Sequence, residues 1–172
     1  MIKETKIATI LPYKENYTVS KAQAAAIWVN DFFRFSKYKK NNFIFGNTDT
    51  KDYLTKNYIN VELNKKTSKF SSTTNEYCDN FIKINRKYNF DIIEIHNRPL
   101  VFNYLKSKIN KKFILYFHND PMNMKGSKSI SERISLINNV DKIIFVSKWV
   151  QNRFFNGIDN KIIDKTEVVY PS

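Results

Sequence analysis

The sequence holds two histidines, and each stands at the end of a short apolar run: His96 closes "DIIEIH" and His118 follows "KFILYF". Imidazole has the one ordinary side-chain pKa near neutrality, so it can orient a ligand by hydrogen bonding or carry a proton. Asn97 and Arg98 follow the first histidine, and Asn119 and Asp120 follow the second. Amide, guanidinium and carboxylate groups in this order suit a ligand rich in hydroxyl and phosphate oxygens. Other apolar runs end the same way, in Tyr13 and Lys14 after "KIATILP" and in Ser147 and Lys148 after "KIIFV". If the runs are parallel strands, their carboxyl ends gather on one rim, where open α/β sheets bind ligands. Strand-to-helix junctions also need caps, and Asn, Asp and Ser supply them whatever the function. Histidine is a poor cap, so His96 and His118 carry more of the argument than their neighbours.

The elements that must position these groups alternate along the chain. Apolar runs of four to six residues lie at 6–11, 42–46, 58–63, 91–95, 112–117, 142–146 and 167–170. They are rich in β-branched and aromatic residues and nearly continuous, the pattern of strands buried on both faces. Helical spacing lies between them. Ala25, Trp28, Val29, Phe32 and Phe33 form one core-facing stripe; Tyr77, Phe81, Ile84 and Tyr88 form a second; Ile130, Ile134, Ile137 and Val140 form a third. Ser20 with Gln23, and Thr73 with Glu76, have the spacing of capping boxes. Pro99 suits a helix start, Ser147 a cap for "KWVQNRFFN", and Gly157 the end of that helix. The polar, basic segment 64–72 is expected to be an exposed loop. Strands alternating with helices predict an α/β domain, a Rossmann-like parallel sheet with helices on both faces.

Composition narrows the chemistry. The chain has 172 residues, 42% hydrophobic and 26% charged, which suits one domain with a real core. Its single cysteine, Cys78, falls on the apolar side of a helical pattern and reads as core, and no Cys/His cluster suggests zinc. Three glycines cannot build a GxGxxG loop or a P-loop, and there is no GxSxG elbow. No metal or other cofactor is expected. No apolar stretch approaches the length of a membrane span, and a reducing, cytoplasmic setting is expected. The net charge of +13 invites an anionic partner. Arginine occurs five times and lysine supplies the rest, which resembles the coding bias of an AT-rich genome. With no groove-reading motif beside it, nucleic acid is not the expected partner.

Three stretches in order, "FDIIEIHNRP", "KFILYFHNDP" and "VDKIIFVSKWVQNRF", resemble the N-terminal domain of family 4 glycosyltransferases, retaining sugar-nucleotide enzymes of GT-B fold. "KIATILPY" is similar to the family's first strand, and "EVVYPS" to the strand that leads into its interdomain linker. The resemblance implies that His118 faces the cleft, contacts the donor sugar and is the catalytic-site histidine. It implies that Asn97, Arg98, Ser147 and Lys148 line the same cleft, with His96, Asn119 and Asp120 on the rim. The loop Tyr13 to Lys21, with Tyr13, Lys14 and Ser20, would lie near acceptor and donor phosphates. That loop has no glycine, so its backbone approaches a pyrophosphate less closely than in the family.

On this resemblance the chain is the acceptor-side, N-terminal domain of an enzyme that moves a hexose from a nucleoside-diphosphate sugar to a glycan or lipid-linked acceptor, with retention, in cell-envelope polysaccharide synthesis. The nucleotide-binding C-terminal domain of the family is not represented, so the 172 residues alone are expected to be inactive. Exposed lysines are expected to allow peripheral contact with an anionic membrane on its inner face. The alternative is a non-catalytic α/β binding module for an anionic partner, protein or nucleic acid.

Overall fold

The computed structural model describes residues 4–63, 72–159 and 164–171. Seven strands form one sheet: β1 (Ile7–Ile10), β2 (Asn42–Gly46), β3 (Tyr58–Asn60), β4 (Ile92–His96), β5 (Lys112–Phe117), β6 (Lys142–Phe145) and β7 (Thr166–Val168). Their order is β3-β2-β1-β4-β5-β6-β7 and every pairing is parallel. Each expected apolar run overlaps one strand. Among the described residues five α-helices connect them: α1 (Ala24–Phe35), α2 (Thr73–Tyr88), α3 (Pro99–Lys106), α4 (Ile130–Asn139) and α5 (Lys148–Phe155). This is the Rossmann-like α/β sheet that the alternation predicts.

The strand period of two sorts the side chains. Ala8, Ile10, Phe45, Ile93, Ile95, Phe113, Leu115, Phe117, Ile143 and Phe145 point to one face and pack there against α2, α3, α4 and α5. The other face packs Leu11, Ile44 and Tyr58 against Ala26, Trp28 and Val29 of α1. Among the described residues α1 is the one helix on that side. It leaves a groove of about 560 Å³ between its Phe32 and Phe33 and the sheet residues Ile92, Ile114 and Tyr116.

Local signals set most helix ends. Pro99 opens α3, the Ser147 hydroxyl accepts from the amide of Val150, and Gly157 lies just past α5 with φ +76°. Other expectations need correction. The pair Ser20–Gln23 is not a capping box: α1 begins at Ala24, Gln23 makes no side-chain cap, and the Glu15 carboxylate accepts from the amide of Ala26 instead. The cap of α2 is Ser72 rather than Thr73. A complete capping box forms at Ser129 and Glu132, where none was expected.

The stripes of α1 and α4 also differ from expectation. Phe32 remains 39% exposed because it borders the open groove. Ile137 in α4 and Val140 at its C-cap are buried, but Ile130 and Ile134 are 45% and 42% exposed. Arg133 takes the inward position, 1% exposed, and donates to the carbonyls of Ser127, Lys128 and Asn156. Three orphan carbonyls satisfied by one guanidinium outweigh the burial of two isoleucines, and the helix rotates accordingly. The expected loop at 64–72 falls outside the described residues as far as position 71.

Phe117 is fully buried against Phe145 and Phe154. Phe117→Ala is expected to destabilise the chain by about 3–5 kcal/mol, from lost burial plus the cavity left behind. A urea titration followed by circular dichroism reads this directly.

Candidate functional site: a histidine pair under a rim cleft

The carboxyl ends of β4 and β5 are neighbours, so His96, Asn97 and His118 meet. Asn97 takes a left-handed backbone, φ +53°, which asparagine tolerates better than most residues. Its amide donates to the carbonyl of Tyr116, and its Oδ1 accepts from the amide of His118 at 2.7 Å. This two-way bond fixes the turn after β5. His96 Nδ1 then lies 2.8 Å from His118 Nε2.

The pair sits in an aromatic frame. Tyr116 stacks on His96 with ring centroids 4.3 Å apart and planes 8° apart. The Trp28 ring meets His118 edge-on at 5.0 Å and His96 at 5.8 Å. His96 is 1% exposed, and burial, then the neighbouring imidazole, pushes its pKa well below the ordinary value. Burial lowers that of His118 to about 4. Both rings are therefore neutral at pH 7.

Above the pair a cleft of about 650 Å³ opens at the rim. His118, Asn97 and Asn119 line one side. Gln23, Ala24, Ala25, Ile27 and Trp28 from the start of α1 line another, with Glu15, Asp31, Val146 and Pro171 around the mouth. A mostly apolar concavity with a few convergent polar groups is the usual form of a small-molecule site. Below, His96 and half-buried Glu94 line the groove under α1. The Glu94 carboxylate accepts from Thr9 and Tyr116, and its pKa is raised by burial.

Of the candidates from sequence, His118, Asn97 and Asn119 line the cleft, and His96 supports it from below. The others are placed differently. Asp120 caps the turn Pro121–Asn123 and pairs with Arg153 at 2.9 Å, and that guanidinium holds its carboxyl below the usual range. Ser147 caps α5 and exposed Lys148 bonds to Gln151 within the same helix. The amide of exposed Ser20 donates to Asp52, which fastens the first loop to the segment after β2. Arg98 donates to the carbonyl of Asn97 and stands 6.0 Å from the Tyr13 ring, beside the cleft rather than in it. Lys14 is exposed. The residues that sequence reasoning missed are Trp28, Glu15 and Asp31. Trp28 carried a signal, its place in the α1 stripe, but that spacing reads as core until the helix is known to start at the rim.

No family model matches the sequence, and no curated protein does. Solved structures do match. HepE of Anabaena, crystallised with UDP-glucose, superposes with a TM-score of 0.67 at 15% identity over 97% of this chain and 44% of its own. Sucrose-phosphate synthase of Thermosynechococcus elongatus gives 0.66 at 12%, over 96% and 48%. A glycosyltransferase of Rickettsia africae gives 0.62 at 19%, over 97% and 43%. The chain spans a little under half the length of each of these three. At these identities the likeness establishes the fold, a Rossmann-like domain of the GT-B type, in agreement with the resemblance carried by the motifs.

A histidine whose pKa falls on folding binds its proton more tightly in the unfolded chain. Its contribution to stability is full above the ordinary value of 6.5 and is lost as pH falls through about 4. The wild-type chain is expected to lose on the order of 3 kcal/mol over that window through His118. His118→Gln should shrink the loss and leave the part that His96 contributes, and urea titrations at a series of pH values measure it. Parallel curves for the two proteins would contradict the assignment.

Proposed function

We propose that this chain is the acceptor-side half of a retaining glycosyltransferase that uses a nucleoside-diphosphate hexose as donor. The observation that carries the reading is the rim cleft, with neutral His118 and Asn97 at its base, in a fold shared with an Anabaena protein that holds UDP-glucose. His118 orients the donor sugar, and Asn97 fixes the loop that carries His118. An acceptor hydroxyl, from a glycan or lipid-linked sugar, attacks the anomeric carbon from the side that the diphosphate leaves. The bond from that carbon to the diphosphate oxygen breaks, and the departing diphosphate takes the hydroxyl proton. A second domain would hold the nucleotide and stabilise the leaving group, so the 172 residues alone would bind the sugar end weakly and turn over little.

The first loop bears on how phosphate is met. Glu15 already occupies the amide of Ala26 at the start of α1, and Tyr17, Thr18 and Val19 are tied to Asn30, Tyr53 and Asp52. These ties fix the shape of the loop, and a second domain would supply most of the phosphate contacts. Cell-envelope polysaccharide synthesis is the setting proposed. Contact with an anionic membrane through surface lysines belongs to the same proposal; no helix among the described residues is long and apolar enough to cross a membrane.

Trp28 borders the cleft, and Trp149 is 58% exposed away from it. In a Trp149→Phe protein the remaining tryptophan fluorescence should change on adding UDP-glucose. His118→Ala should weaken that binding about tenfold, the worth of one good hydrogen bond to the ligand. No response to any nucleoside-diphosphate sugar, together with binding of short DNA that collapses with salt, would favour the non-catalytic binding module instead.

A further inference from the structure

The two imidazoles share one hydrogen bond, and their surroundings decide which ring donates. Each is neutral, so each carries one N–H. With 2.8 Å between His96 Nδ1 and His118 Nε2, one proton lies between them. Two arrangements satisfy this. Either His96 Nδ1–H donates, leaving a bare lone pair at His96 Nε2 and an N–H at His118 Nδ1, or His118 Nε2–H donates and both remainders reverse.

The far nitrogens are not equivalent. His96 Nε2 is buried and has no hydrogen-bond partner among the described residues. His118 Nδ1 has none there either, but it is not a buried atom, and its residue lines the open cleft. The second arrangement strands an N–H donor in the interior. The first strands only an acceptor, which folded proteins tolerate more readily. The Tyr116 ring stacked on His96, with Trp28 beside it, holds the ring orientation that this choice requires.

We propose that His96 is a positioning residue that donates Nδ1–H to Nε2 of His118 and so locks His118 as an Nδ1–H donor facing the cleft. The cleft then selects a ligand that places an acceptor oxygen at that nitrogen, and it disfavours one that places a donor there. On the glycosyltransferase reading the acceptor is a hydroxyl or phosphate oxygen of the sugar nucleotide. The ligand's identity rests on that reading, whereas the proton arrangement does not.

With two histidines in the chain, both rings can be resolved by two-bond proton–nitrogen correlation on the full 15N-labelled protein at pH 7.5. Both should show the Nδ1–H pattern, with each Nε2 unprotonated. His96→Asn, which keeps an N–H donor near the same place, should leave the pattern of His118 unchanged. His96→Leu should release it to the Nε2–H form or to an averaged signal. Nε2–H patterns or averaging in the wild type would overturn the proposal, and so would an unaltered His118 in a folded His96→Leu protein. If that variant does not fold, the wild type and His96→Asn decide. Adding UDP-glucose tests the ligand separately: a locked pair with no shift at His118 Nδ1 would sink the donor-site reading and leave the tautomer standing.

Discussion

The arrangement of the rim depends on one residue that bonds in two directions. Asn97 gives its amide to the carbonyl of Tyr116 and takes the amide of His118 on its Oδ1. The first bond continues the ladder between β4 and β5 by one step; the second bends the chain out of β5. A left-handed backbone is needed to do both, and the short polar side chain of asparagine makes that conformation acceptable. Everything at the base of the cleft follows: the imidazoles face one another, the Tyr116 ring lies flat on one of them, and Trp28 closes against both. A residue lacking the side-chain oxygen would free the turn while the sheet itself persisted.

The rim is built to be dry at its base and fastened at its margins. Aromatic rings surround the imidazoles and remove water, which is why neither ring is charged. Around them, the groups that looked like ligand contacts hold structure: Asp120 grips Arg153, Ser147 closes α5, and Ser20 anchors the first loop to Asp52. Rigid margins of this kind let a few cleft-facing groups keep a fixed geometry without a ligand present.

The fold was legible because an all-parallel sheet writes continuous apolar runs, and all seven strands fell on such runs. Helix faces were less so. Counting spacing in α4 favoured isoleucines, while the chain buries Arg133, whose guanidinium meets two carbonyls in the turn just before the helix and one 23 residues on; side-chain periodicity carries no record of such carbonyls. In the site, the two histidines stood out by type and by following strands. Their direct contact did not, since 22 residues separate them and only the adjacency of β4 and β5 brings them together. Trp28 was visible as a helix-stripe residue, and Asp120 and Lys148 as rim charges. Which of these turn toward the cleft depends on backbone direction after each strand, which residue type alone does not specify.

The sheet tapers outward. Its longest strand, β5 with six residues, lies inside, and the outermost strands, β3 and β7, have three each. "KFILYF" is the kind of segment that stacks into fibrils when exposed, and here it is paired on both sides. The outer strands carry Asn60 and Glu167 and present only a few free backbone groups. Among the described residues, then, the margins of the sheet offer a further strand only short stretches to pair with, while the segment best suited to stacking is enclosed by its neighbours.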